Sequence, residues 1–277
     1  MGNATCTSGQ CGCDKQQQLK TVLVDSAEPA LSGDGKVQES SPSRGPSPNA
    51  TPRGKIESGG TTYEGQWQGE EKHGQGILIF ADGSKYEGEF VHDRKHGVGR
   101  YTYSNGSTYE GQWVSEVQQG QGIERLADGS IFEGQFQNGD KHGEGTFLWS
   151  TGGSYEGQFD TNDMHGKGTY KWSDGRIYSG QWQRNHMGPQ GMMEWVDGRK
   201  YEGAFLDGKK HGEGMLSWPD GRSYTGQWES GRQHGFGVAV TAKGLSRKSQ
   251  WQHGNFLRWF EEAPELTGEA NNMQKGR

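Results

Sequence analysis

The sequence predicts an all-β protein: an elongated antiparallel β-meander of about eight 23-residue hairpin repeats, behind a disordered N-terminal arm. Three observations carry the prediction. A lead aromatic recurs at Tyr63, Tyr86, Tyr109, Phe132, Tyr155, Tyr178, Tyr201 and Tyr224, always 23 residues apart. Counting that aromatic as position 0, positions 2 and 13 are glycine in all eight repeats, Gly65 and Gly76 in the first. Position 20 is also always glycine, and Asp or Asn precedes it in six repeats. A fixed period of this length means stacked units that each pack only on their neighbours.

Within a repeat, positions 0, 2 and 4 alternate with polar positions 1 and 3, which is the pattern of a strand with one buried face. Position 4 is aromatic throughout, from Trp67 to Trp228, and Trp251 opens a truncated ninth unit. The glycine between the two rings lets a ring lie on the backbone. The Gly-x-Gly at positions 11 and 13 is expected to occupy a longer loop at positive φ or in tight space. A second strand is expected over positions 13–17, with an aromatic at 17 in six repeats. The Asp-Gly pair then predicts the tight turn to the next strand. About sixteen strands at ~4.8 Å spacing would extend on the order of 75 Å.

Composition supports this reading. Leu, Ile, Val and Phe total 37 of 277 residues, about 13%, too few for an aliphatic core. All thirty aromatics lie between Tyr63 and Phe260, and 23 of them sit at positions 0, 4 and 17, so the core is built from rings over glycines. The net charge is −6; residues 1–55 carry six basic and five acidic residues, leaving 23 basic and 30 acidic, net −7, for the remainder. That balance disfavours nucleic acid, whose affinity rests on phosphate neutralisation, and it weakens non-specific adhesion to anionic lipid. No apolar run is long enough to span a membrane and no signal-peptide core opens the chain, so a cytoplasmic protein is expected.

The motif YEGxW/F…HGxG…DG resembles the MORN family (membrane occupation and recognition nexus), over roughly residues 56–254. Departures are local: Gln119 stands for His and Leu126 for an aromatic in repeat 3, and repeat 4 opens on Phe132 and carries Thr151. Repeat 6 has Gly188-Pro189 for His-Gly, expected to alter curvature, and repeat 8 ends Thr241-Ala242-Lys243-Gly244. The resemblance implies a non-catalytic scaffold with protein partners, at membrane–cytoskeleton or flagellar structures, and a capacity to dimerise.

Residues 1–55 lack aromatics and hold five of the eight prolines, which predicts a disordered arm. Its start, Met1-Gly2-Asn3-Ala4-Thr5-Cys6, is similar to an N-myristoylation site, with Cys6 where Ser or Thr is preferred. Cys6, Cys11 and Cys13 are the only cysteines and lie in reach for S-palmitoylation. One acyl chain holds a bilayer marginally and two hold it stably, so Gly2 with a nearby cysteine forms a two-signal anchor on a cytoplasmic leaflet. Three thiols lack a fourth ligand for structural zinc. Ser41-Pro42, Ser47-Pro48 and Thr51-Pro52 are candidate phosphorylation sites whose charge would weaken attachment.

The array offers several candidate sites, and for most of them the repeat itself is a sufficient explanation. Six histidines at position 10 (His73, His96, His142, His165, His211, His234) suggest a metal ladder. Equivalent positions are two strands apart, roughly 9.6 Å, so successive members cannot share one ion. No metal or cofactor is expected. The His-Gly-x-Gly segment lacks the following helix that a phosphate loop needs. The Glu and Gln of positions 1 and 3 repeat too regularly for catalysis and are expected on a solvated or cross-strand-paired face. No repeat holds a unique catalytic constellation, so no enzyme is expected. One asymmetry remains: position 21 is Ser84, Ser107, Ser130 and Gly153, then Arg176, Arg199 and Arg222, with Lys200 beside the second arginine. This predicts an edge for an acidic phospholipid headgroup or acidic partner. A phosphoinositide-binding module acting on a separate enzyme, or a soluble axonemal or cytoskeletal adaptor, are the alternative functions. Residues 255–264 are expected to cap the last strand, as a short helix ended by Pro264, and 265–277 to form a disordered tail.

Overall fold

A computed structural model describes residues 51–260. The expectations for Gly2, Cys6, Cys11 and Cys13 and for the tail 265–277 therefore lie outside the described residues. Among these there is no helix and there are nineteen strands, in two compact units that divide after Ser173.

The first unit contains β1 (Thr51–Ser58), β2 (Thr61–Gln68), β3 (Glu71–Ile79), β4 (Lys85–Val91), β5 (Arg94–Thr102), β6 (Thr108–Val114), β7 (Val117–Arg125), β8 (Ile131–Gln137), β9 (Asp140–Leu148), β10 (Ser154–Asp160) and β11 (Asp163–Lys171). The second contains β12 (Ile177–Gln183), β13 (His186–Glu194), β14 (Lys200–Leu206), β15 (Lys209–Ser217), β16 (Ser223–Glu229), β17 (Arg232–Val240), β18 (Ser246–Gln252) and β19 (Asn255–Trp259). Within each unit every strand pairs antiparallel with the next, for example Gly76 opposite both Gly65 and Gly88. Two expected boundaries move. Thr51–Ser58 is a strand paired on β2, within the span assigned partly to the arm. Asn255–Trp259 is a strand paired on β18, not a helix.

The two connections exchange the roles expected of them. The tight turn falls at positions 6 and 7, where both residues take φ > 0: His92 (49°) and Asp93 (66°), or Thr161 (50°) and Asn162 (69°). Those angles make a type I′ turn, whose twist matches the flanking strands. The Asp-Gly pair lies in a three-residue loop, in which Phe80 N–H donates to Ser84 O (2.9 Å) and Gly83 N–H to Phe80 O (3.0 Å). Gly83, at φ 84°, closes a type I turn in the left-handed region.

The His-Gly-x-Gly segment is strand, not loop. Its position-11 glycine takes a left-handed φ (Gly74 71°, Gly235 60°) and forms a bulge against position 3. The Gln at position 3 lies on the solvated face, as expected, and also ties the bulge: Gln66 Oε1 accepts the Gln75 N–H at 2.8 Å, and Gln112 and Gln135, both exposed, do the same for Gln121 and Glu144 at 2.9 Å. In repeat 6 Pro189 holds the bulge position. It has no N–H and cannot take positive φ, and the β13–β14 ladder begins at Gln190–Ala204, where β3–β4 begins at the bulge glycine with Gly74–Phe90.

The core is a zipper of rings. Each lead ring meets the position-4 ring of its own repeat edge-on, as in Tyr86–Phe90 at 5.1 Å and 89°. It meets the position-4 ring of the next repeat equally closely, as in Tyr86–Trp113 at 5.4 Å and 82°. The series runs from Tyr63 to Phe159 in the first unit and from Tyr178 to Trp251 in the second. Edge-to-face contacts of this kind add about 0.5–1.5 kcal/mol beyond area burial. The lead hydroxyls donate to the carbonyl at position 3, Tyr63 to Gln66 (2.8 Å) and Tyr178 to Gln181 (2.9 Å). Phe132 fills the same place, fully buried, without a hydroxyl, so ring burial and not that hydrogen bond holds the repeat together.

Candidate functional site

The surface available for binding is set by what the core leaves out. The position-17 rings, Phe80, Trp149, Trp195 and Trp218 among them, stay half-exposed beside the Asp-Gly loops. They stack on the position-15 rings where those exist: Tyr101–Tyr103 at 4.6 Å, Phe147–Trp149 at 4.6 Å, Trp149–Tyr170 at 4.9 Å.

Position 21 differs between the units. In the first, Ser84, Ser107 and Ser130 are buried. Ser84 Oγ donates to Asp82 (2.6 Å) and accepts from the Tyr101 hydroxyl (3.0 Å). Ser107 and Ser130 Oγ accept the Ala127 and Ser150 N–H groups of the following loop, at 3.0 and 3.1 Å. In the second unit Arg176, Arg199 and Arg222 hold this position. Each Nε donates to the aspartate two residues earlier: Asp174 at 2.8 Å, Asp197 at 2.7 Å and Asp220 at 2.7 Å. The backbone N–H groups of Arg176 and Arg222, helped by their guanidiniums, hold Asp174 and Asp220 below the usual carboxylate range. Arg199 and Arg222 also lie over Trp195 and Trp218, at 5.5 and 5.4 Å. Lys200 pairs with Glu194 at 3.1 Å. The arginines thus share one kind of loop, as the sequence implies, but each arrives with its own carboxylate. A signal for this was readable, since Asp-Gly-Arg is an Asx-type turn with a basic residue two places on.

Position 9 carries a lysine over the rings in four repeats. Lys95 Nζ lies 4.8 Å from the Tyr101 centroid and 5.0 Å from that of Trp113, and pairs with Glu116 at 3.1 Å. Lys141 pairs with Glu124. Lys210 is held by rings alone: its Nζ is 4.2 Å from Trp228 and 5.6 Å from both Trp195 and Tyr201. Burial, and secondarily the Arg199 guanidinium, push its amine down to about 8. Nothing local marks this lysine in the sequence, because position 9 varies and its cage comes from three successive repeats.

At position 10 His96 and the single glutamine fasten the following turn, whereas His73 and His165 bury an Nδ1 that has no hydrogen-bond partner among the described residues. His96 Nδ1 accepts the Ser115 N–H of the next type I′ turn at 3.4 Å, and Gln119, the residue that departs from the pattern, accepts the Asn138 N–H at 3.0 Å. Backbone bonds add to this: Asp93 N–H reaches Lys72 O at 3.1 Å and Gly231 N–H reaches Lys210 O at 2.9 Å. In the second unit an open groove is lined by Thr225, Gly226, Phe236, Val238, Lys248 and Phe260. Phe236 is exposed and its ring lies 5.7 Å from that of Phe260.

The family described as MORN repeat matches residues 63–85, 86–108, 109–131, 132–154, 155–175, 178–198, 201–221 and 224–246. No curated protein matches the sequence. Among solved structures, the TCP10 domain of Danio rerio CPAP is 10% identical over 75% of this chain and 99% of that chain, with TM-score 0.43. The TCP domain of Drosophila melanogaster SAS-4, solved in complex with a proline-rich motif of Ana2, is 14% identical over 68% and 98%, with TM-score 0.36.

Proposed function

We propose, for this chain, which belongs to the MORN repeat family, the role of a non-catalytic scaffold held at a cytoplasmic membrane face by its acylated N-terminus and presenting its array to protein partners. MORN repeats make it a binding protein; the anchor and the kind of partner are our reading. The observation that carries the choice of partner is the pairing at the Asp-Gly edge. Arg176, Arg199 and Arg222 each meet an aspartate of their own loop, so each loop is neutral overall. Beside them stand half-exposed tryptophans, Trp195 and Trp218. A neutral, aromatic, hydrogen-bonding edge suits a protein surface, where Trp, Tyr and Arg dominate binding energy. An anionic headgroup would have to compete with a carboxylate already in place. The phosphoinositide reading rests on the same three guanidiniums and is favoured only by their common position.

The anchor rests on Gly2 with Cys6, Cys11 and Cys13, all within the first thirteen residues. It is tested by intact mass and membrane fractionation of the full-length protein from eukaryotic cells, beside Gly2→Ala. Wild type is expected in the membrane fraction with a myristoyl increment, and Gly2→Ala in the soluble fraction. Membrane attachment of an unmodified wild type would reject the anchor and shift attention to the arginine edge. Charge reversal at the three arginines should leave binding to vesicles containing anionic phospholipid unchanged if the partner is a protein.

A further inference from the structure

At the end of the second unit three side chains from different elements converge. Glu229 ends β16, His234 lies in β17, and His253 opens the turn between β18 and β19. One ligand atom from each lies within 4.8 Å of the others. Both imidazoles approach the same carboxylate oxygen: His234 Nδ1 lies 3.1 Å and His253 Nδ1 3.2 Å from Glu229 Oε2. The two rings are 4.9 Å apart, tilted by 54°.

Hydrogen bonding does not account for this. Glu229 Oε2 is buried and accepts no hydrogen bond, despite two nitrogens at contact distance. His234 Nδ1 also faces the His253 backbone N–H at 3.5 Å, a direction that calls for a lone pair and not a proton. The Glu229 oxygen and the two imidazole Nδ1 atoms thus converge with no hydrogen bond to the carboxylate oxygen. Two donors about 2.0–2.1 Å from a tetrahedral zinc lie about 3.3 Å apart, close to the two measured separations.

We propose that Glu229, His234 and His253 form a binding site for a divalent transition cation, with zinc as the best-matched ion. Two imidazoles and one carboxylate are a borderline donor set suited to Zn²⁺ and not to Ca²⁺ or Mg²⁺, which take oxygen ligands. His253 is largely solvent-exposed, so a fourth position is open to water. The spacing argument against a histidine ladder still holds. The second imidazole belongs to position 6 of the following unit, outside the ladder, and the carboxylate to position 5. The ion would clip the turn between β18 and β19 onto β16 and β17.

The equivalent positions supply substitutions that the fold already accepts. Gln68 and Gln137 occupy the place of Glu229, Gln119 that of His234, and Asn138 that of His253. The test is titration of chelator-treated full-length protein with Zn²⁺ alone, by calorimetry, for wild type, Glu229→Gln, His234→Gln and His253→Asn. His92→Asn in the first unit serves as control; His92 also faces a histidine, His73, at 5.7 Å. One zinc per chain is expected, with affinity at least tenfold weaker in each of the three variants and unchanged in the control. Hydrogen exchange should show slower opening of residues 246–259 on zinc addition. No binding by wild type, or equal binding by all variants with unaltered circular dichroism, would overturn the site.

Discussion

Gly88→Ala is expected to lower the stability of the first unit by about 3 kcal/mol, the upper part of the range for overpacking a filled core. A Cβ at Gly88 would stand 2.4 Å from Gly99 Cα, 2.6 Å from Val98 O and 2.7 Å from the Tyr86 hydroxyl. Two of those atoms are backbone of the adjacent strand, so no side-chain rotation relieves the contact. The strands must part, and the Tyr86 ring, which lies over both glycines, must leave its place. In an array, stability is a sum of units and interfaces, so the loss should be local. Hydrogen exchange should show deprotection centred on β4 and β5, spreading outward from repeat 2. Gly54→Ala is the control, since its Cβ meets nothing within 4 Å and its φ is not positive. Equal stability of the two variants in denaturant would refute the role assigned to the paired glycines.

Alkaline pH should unfold the array between about 10 and 12. Burial is the largest cause raising Tyr63, Tyr178, Tyr201 and Tyr224, each to about 12 from an ordinary value of 10. Tyr86, Tyr109 and Tyr155 are raised further, also chiefly by burial. A group whose folded value exceeds its unfolded value contributes stability below the unfolded value and loses it as pH climbs through the folded one. Seven such groups act in one direction, so the transition should be steep. Lys210 runs the other way. Its amine is at about 8 when folded, below the unfolded value near 10.4, so its burial is a penalty below pH 8 that fades as pH rises toward 10. Denaturant midpoints across pH 7–12 should therefore rise slightly to about pH 10 in the second unit and then fall sharply. Lys210→Met should abolish the rise and leave the fall. A flat profile to pH 12 would contradict the burial of the hydroxyls.

The period, the ring positions and the paired glycines were legible in the sequence because each is a steric demand that every unit must meet. The turns were not, for a physical reason. Positions 6 and 7 take left-handed φ in every complete hairpin of repeats 2–8, yet only Asn138-Gly139 and Asp207-Gly208 spell the usual signal. His92-Asp93 and Ser115-Glu116 accept the strain because their N–H groups or side chains fasten to the preceding repeat, a contact no local pattern displays. Asp-Gly, the stronger signal, belongs to the longer loop because its glycine closes a type I turn. The arginines are visible in the sequence as a regular row of like charges, but the aspartate two residues before each, which neutralises it, shows its pairing only in the folded loop. His253 is hidden in the sequence because it is out of phase with the position-10 histidines.

The ring zipper has an optical consequence. Tyr86 and Tyr109 each lie within 5.4 Å of the Trp113 ring, and Tyr178 and Tyr201 within 5.3 Å of Trp182 and Trp228 respectively. At such separations light absorbed by tyrosine is handed to tryptophan before it can be emitted. The folded protein should fluoresce as though it had few tyrosines, and the return of their emission would count, repeat by repeat, the rings that have come apart. Phe132, Phe136 and Phe159 interrupt the series of indoles within the zipper, and the nearby tryptophan, Trp149, sits outside it against Phe147.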